Sequence, residues 1–237
     1  MPMQYYPAGD RGRTRTDWLE SYHSFSFGEF YDASRLGFGA LRVINEDYIL
    51  PGKGFEMHSH NDMEIVTVLL SGAIEHRDSM GNHGIIKTGQ AQHMTAGTGV
   101  LHSERNISKD VLTHLLQIWI RPDKRNHTPS YSERSLPMRR NALIAVVDPS
   151  GEDGALTLRQ DARMLFCNLD PGKDVHYAVK NSGVGRGVYV FLVDGVVDIN
   201  GKIIHKQDAV AVSGEQNLRV VASVSSRVLL IDTPLHQ

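Results

Sequence analysis

The sequence predicts an all-β chain of two antiparallel β-barrel or jelly-roll domains with short helical connectors. Three observations carry this. Runs with helical periodicity are scarce, whereas short β-rich runs bounded by turn residues recur along the chain. Glycine supplies 22 of the 237 residues, which favours many turns. The β-rich runs also fall into two groups of similar texture, and many short strands at this spacing pair best in closed or sandwiched antiparallel sheets.

In the first group, Glu64–Asp78 (EIVTVLLSGAIEHRD) is broken by Ser71-Gly72 and followed by the turn-like Ser79–Asn82; Gly84–Val100 and Leu112–Pro122 come next. The second group comprises Asn141–Asp161, Gly187–Val212 and Leu218–Pro234, and Asn200-Gly201 reads as a tight hairpin turn. Between them, Arg121–Arg140 holds three prolines and few apolar residues, with six basic side chains against two acidic ones, and reads as a solvated connector. The expected division is therefore a first domain over 1–125, a basic connector over 126–139 and a second domain over 140–237. Upstream, Trp18, Tyr22, Phe25, Phe27, Phe30 and Tyr31 form an aromatic cluster expected to pack the N-terminal arm onto the first domain, with a substrate-stacking wall as the alternative.

Composition excludes several classes. At 41% hydrophobic and 22% charged, with a formal net charge of −2, the chain has an ordinary globular profile and no sign of binding a phosphate backbone. No run approaches the roughly 18 apolar residues of a membrane helix. One cysteine, Cys167, rules out an internal disulfide or a multi-cysteine metal site. The opening MPMQYYPAGDRGRTRTDW is polar, so a cytoplasmic location is expected.

The chemistry-bearing residues are histidines. His58 and His60 stand two apart, so on a strand both face one side, about 6.6 Å apart along the chain. His102 and Glu104 repeat the spacing 42 residues after His60, far enough for several strands to bring both pairs to one mouth. Three imidazoles and one carboxylate suit one divalent ion, with Fe(II), Mn, Ni, Cu and Zn all compatible. Around an octahedral ion they leave two positions for water, substrate or dioxygen. Phe55 and Met57 flank the first pair and are candidates to line the pocket.

These segments resemble the cupin motifs: Gly52, His58, His60, Glu64 and Gly72 match the first, and Gly99, His102 and Asn106 the second, with Gly89 upstream. The gap from Glu64 to Gly72 is one residue longer than usual, Gly97 stands where proline is usual, and Gly89 lies two positions further upstream. FSFGEFYD (Phe25–Asp32), His58–Gly81 and MTAGTGVLHSE (Met94–Glu104) are similar to hallmark segments of the pirin family of two-domain cupins, with Ser59 where many pirins carry proline. The resemblance implies a bicupin fold with one metal, most commonly iron, held by His58, His60, His102 and Glu104, and Glu64 outside the coordination shell. The second domain, with His176 and His205 isolated, is expected to hold no metal.

The resemblance further implies a quercetin 2,3-dioxygenase-like enzyme that opens a flavonol-like ring with O2 and releases CO, with Glu104 as general base. A second reading is an iron-binding, redox-sensitive regulatory protein that binds a transcription factor or a metabolic enzyme. Because imidazoles must be neutral to coordinate, metal affinity is expected to decline below about pH 6.5 under either.

Overall fold

The computed structural model describes residues 3–179 and 185–236. The first group of strands builds a four-stranded sheet ordered Gly54–His60, Val100–Arg105, Ala73–Asp78, His83–Lys87. It packs on a seven-stranded sheet ordered Ser130–Ser135, Gln90–Thr95, Glu64–Ser71, Thr113–Ile120, Leu41–Ile49, Leu19–His23, Gly12–Arg15. The second group repeats the plan with a seven-stranded sheet and a four-stranded one. Each half is thus a jelly-roll-like sandwich of a large and a small sheet rather than a closed barrel. Among the described residues the strands pair antiparallel apart from the two-residue strand Leu156–Thr157, which lies parallel to Ile144–Asp148, and an isolated parallel bridge joins Arg140 to Asn168.

The expected short helical connectors reduce to two single 3-10 turns among the described residues, Ala8–Asp10 and Glu152–Gly154. The expected connector is also more structured than its composition suggests, because Ser130–Ser135 pairs with Gln90–Thr95 as an edge strand. Its S-Y-S-E-R-S pattern has no apolar alternation, since half of an edge strand faces water; only Tyr131 betrays an inward position. At the other end, Met3–Tyr6 crosses over to pair with Ala209–Ser213 in the second large sheet, so the N-terminal arm stitches the two halves together. The Asn200-Gly201 turn forms as the sequence predicts, with φ of 47° and 90°, the left-handed values a two-residue hairpin loop requires.

The strand Glu64–Ser71 is apolar on both faces because both are covered. Val66, Val68 and Leu70, joined by Ile44, Leu116 and Ile118, meet Met164, Phe166, Tyr189, Phe191 and Ile231 of the second half in the largest core cluster. The two large sheets therefore pack back to back. The opposite faces of the first large sheet contribute Leu19, Ile49, Leu69 and Leu115 to a smaller core inside the first sandwich, closed by Ile74 and Ile86 of the small sheet. The second sandwich is filled by a continuous aliphatic cluster that includes Leu165, Cys167, Val190, Leu192, Val197 and Leu230. No helix among the described residues is long and apolar enough to cross a membrane.

The candidate metal centre

The first sandwich stays open at one end, where its interior turns polar. His102 pairs directly with His58 across adjacent strands, while Glu104 pairs with Phe55 after a register shift. Such an irregularity re-aims the side chains beside it, and Gly54 lets the strand pass against the Glu104 backbone, where a Cβ would collide. The result is convergence. Ring centroids lie 4.8 Å apart for His58 and His60, 4.5 Å for His58 and His102, and 5.0 Å for His60 and His102. One ring nitrogen from each lies within 4.8 Å of the others.

The donor set fits a cation on the structure's own terms. His102 is 1% exposed, yet neither ring nitrogen has a hydrogen-bond partner, a costly arrangement that a bound ion relieves. His58 donates from Nδ1 to the Glu56 carbonyl at 2.7 Å, which leaves its Nε2 lone pair free to coordinate. Burial, reinforced by the neighbouring imidazoles, holds His60 at a pKa of about 4 and His102 at about 3, so both rings are neutral near pH 7.

Glu104 is equally buried and belongs to a second, overlapping triad with His76 and His102, also within 4.8 Å. Its two oxygens accept from Gln92 Nε2 at 2.5 Å, Gln117 Nε2 at 2.7 Å and Thr67 Oγ1 at 3.3 Å. The four sequence-predicted residues are thus neighbours, but two triads joined through His102 describe them better than one four-cornered shell.

Beside the triads lies a cavity of about 180 Å³. Phe27, Phe55 and Trp119 form its apolar walls, with Trp119 against Phe27 (5.4 Å) and His60 (4.8 Å), both edge to face. Phe27 thus lines the pocket, whereas Phe25 packs on Tyr6 and Tyr189 between the halves, so the aromatic cluster serves both purposes. Met57 stays exposed. The opposite wall is polar: Asn45 and Asp47 alternate inward on one strand, with His23 Nδ1 hydrogen-bonded to Asn45 Oδ1 (2.8 Å) and Ser21 donating to Asp47. Burial raises the Asp47 carboxyl to about 7 against the Ser21 hydrogen bond, and the nearby Glu104 and Glu46 charges raise it further. A carboxylic acid that keeps its proton near neutrality can donate to a ligand oxygen.

Two polar residues inside apolar strands, Gln92 in QAQHM and Gln117 in LLQIW, are functional neighbours that sequence reasoning passed over. So is His76, although His76-x-Asp78 repeats the spacing of His102-x-Glu104. Glu64 is fully buried but stands on the opposite face of its strand from Thr67. Its Oε2 accepts from His93 Nε2 (2.8 Å), Thr95 Oγ1 (3.1 Å) and the backbone N–H of Arg159 in the second half (3.0 Å). It is a clamp between the halves. Glu64→Ala is expected to cost about 1–3 kcal/mol in chemical denaturation through the donors it strands, and to leave nickel affinity at the wild-type value in a chelator competition. His176 and His205 are both exposed on the second half.

The family model described as Pirin matches residues 8–120, and that of the quercetinase C-terminal cupin domain matches 145–233. The Escherichia coli (strain K12) protein named quercetin 2,3-dioxygenase is 41% identical over 228 residues, 96% of each chain. This chain belongs to the pirin family. Another relative, the pirin-like protein of Caulobacter vibrioides, is 36% identical over 91% of this chain and 92% of its own. Among solved structures, E. coli YhhW superposes with a TM-score of 0.94 at 39% identity, over the whole of both chains. The complex of that bacterial pirin with nickel(II) gives 0.92 at 39% identity, covering 98% of this pirin and 99% of that chain. The histidine and carboxylate cluster described above points to one metal ion here as well.

Proposed function

We propose that this pirin is a metal-dependent dioxygenase that opens the ring of a flavonol-like hydroxylated aromatic with O2 and releases carbon monoxide. One observation carries the reading: a three-imidazole triad and a buried carboxylate border the same small cavity, whose walls are aromatic on one side and hydrogen-bonding on the other. Relatives named quercetin 2,3-dioxygenase support the substrate class. His58, His60 and His102, with Glu104 alongside, would hold the cation; Fe(II) is the leading identity for it, and Mn, Ni, Cu and Zn share the ligand preference. When bound, it supplies Lewis acidity that lowers the pKa of a substrate enol oxygen.

The chain's own groups do the rest. Glu104 receives the 3-hydroxyl proton on a carboxylate oxygen, oriented by Gln92, Gln117 and Thr67. Phe27 and Trp119 hold the ring plane, and Asn45, Asp47 and Ser21 present hydrogen-bonding groups to its hydroxyls. The aromatic walls exclude water from the ring as it opens. Both atoms of O2 end in the ring-opened ester, and the excised carbon leaves as carbon monoxide with the oxygen of its own hydroxyl, so no external reductant is needed.

The test is oxygen uptake and carbon monoxide evolution with quercetin, using fully metallated protein loaded in turn with iron, nickel and manganese. Glu104→Gln is expected to lower turnover by about 10²–10⁴-fold. A metallated wild type that consumes no oxygen with any flavonol overturns the proposal.

A further inference from the structure

We propose that His76, held by Asp78, is a positioning residue of the metal centre: its Nδ1 receives the N–H of whichever His102 nitrogen does not face the cation. The inference rests on the reading of His58, His60 and His102 as cation ligands, and concerns what stands behind them.

The first argument is an accounting of orphaned atoms. Three buried imidazole nitrogens in this region lack any hydrogen-bond partner: both of His102 and the Nδ1 of His76. A cation satisfies one nitrogen of His102 and leaves two. Those two are complementary once the tautomers are assigned. His76 Nε2 lies 3.2 Å from Asp78 Oδ2, both side chains fully buried, so Nε2 carries the proton and Nδ1 offers a lone pair. A His102 ring that coordinates through one nitrogen carries its proton on the other. One hydrogen bond and one ion therefore satisfy all three.

Placement agrees with the accounting. The strand Ala73–Asp78 runs beside Val100–Arg105 with Glu104 opposite His76 and His102 opposite Asp78, so all four side chains share the inner face of the small sheet. The His76 and His102 ring centroids are 5.3 Å apart, and one ligating atom from each lies within 4.8 Å. The two rings are not hydrogen-bonded to each other in this structure, so the proposed bond requires the His102 ring to reorient as its other nitrogen takes the cation.

His76 itself has little freedom. Asp78 is pinned by the backbone N–H groups of Met80 (2.9 Å) and Asn82 (3.0 Å) and by Asn82 Nδ2 (2.9 Å), so the turn after the strand fixes the carboxylate. On its flank the ring stacks on Tyr131 at 4.2 Å and 14°. The Tyr131 hydroxyl donates to Gln92 Oε1 at 3.0 Å, and Gln92 in turn donates to Glu104. A rigid plate thus backs both His102 and Glu104. Packing alone does not account for a histidine here, since phenylalanine would fill the space and stack on Tyr131 without burying an unpaired nitrogen.

The experiment measures nickel(II) affinity of the full chain by chelator competition, together with the exchangeable ring N–H signals of the cobalt(II)-substituted protein by proton NMR. His76→Phe keeps the stack and is expected to weaken nickel binding about 10–100-fold, the usual cost of losing a partner behind a ligand, and to broaden the His102 N–H signal by exchange with water. His76→Asn puts an amide oxygen near the Nδ1 position and is expected to recover most of the affinity and the sharp signal. Asp78→Asn, which preserves shape, is expected to weaken binding in the same direction and serves if the phenylalanine variant does not fold.

Unchanged nickel affinity in His76→Phe or, if that variant does not fold, in Asp78→Asn overturns the inference. So does equal weakening in the asparagine and phenylalanine variants at His76. A wild type that binds no nickel removes the ligand assignment instead, which separates the two failures.

Discussion

Replacing His102 with alanine is expected to weaken metal binding by more than about a hundredfold, beyond the loss typical of a partner behind a ligand. His102 is the one side chain common to both triads, and both its nitrogens are buried without a protein partner. Its removal takes away the one side chain that belongs to both the His58–His60 group and the Glu104 group. At His60 and His102 the pH dependence should follow the interior rather than free imidazole. The expectation of a decline below about pH 6.5 is revised for the two shifted rings. Burial, then imidazole repulsion, puts His60 near 4 and His102 near 3, so protons compete with the cation at those nitrogens only below about pH 4. Chelator competition from pH 4 to 8 measures both effects. Full nickel affinity in His102→Ala would falsify the ligand assignment.

Local pattern revealed the site's frame, and its finer parts depended on long-range pairing. His-x-His and His-x-Glu are visible because strand periodicity puts residues two apart on one face. Spacing alone does not decide whether Glu64 joins them; the resemblance implies that it does not, and the sheet shows why, since Glu64 stands two residues before Val66 on the face that the second half covers. Its three donors come from 29 or more positions away. Tyr131 stands in a stretch whose charges read as solvated, and only its pairing as part of the edge strand Ser130–Ser135 brings it against His76. Asp47 and Glu46 are adjacent acids in one sequence run, and only the sheet shows that one faces the pocket and the other the second half. The His102-x-Glu104 spacing points to the carboxylate and the resemblance to pirins implies it as a ligand; the structure adds that Glu104 is supported by two glutamines and a threonine.

The largest stability effect is expected from Arg11→Ala, at about 3–5 kcal/mol, because it strands a buried carboxylate. Glu46 is fully buried and accepts from Arg11 Nη1 (2.8 Å), His114 Nε2 (3.0 Å), Tyr48 (3.2 Å) and Gln207 Nε2 of the second half (2.8 Å). Burial alone would raise its pKa, but the His114 hydrogen bond and the Arg11 guanidinium outweigh burial and hold it at about 2. With the folded value below the ordinary glutamate value of 4.5, this group's stabilisation is complete above about pH 4.5 and is lost as pH falls toward 2. Asp47 has the opposite sign: its folded value near 7 lies above the ordinary aspartate value of 3.8, so its contribution is present below pH 3.8 and fades as pH rises through 7. The two acids therefore act in nearly separate windows. Urea denaturation of wild type and Arg11→Ala at pH 7 and pH 3 should show the gap between the two proteins narrowing on the acid side. The double variant Arg11→Met, Glu46→Leu should be less destabilised than Arg11→Ala, since it removes the charge as well as its partner. A loss under 1 kcal/mol at pH 7, or a gap that stays constant with pH, would mean that the join between the two large sheets rests on its apolar contacts and that this ion pair contributes little.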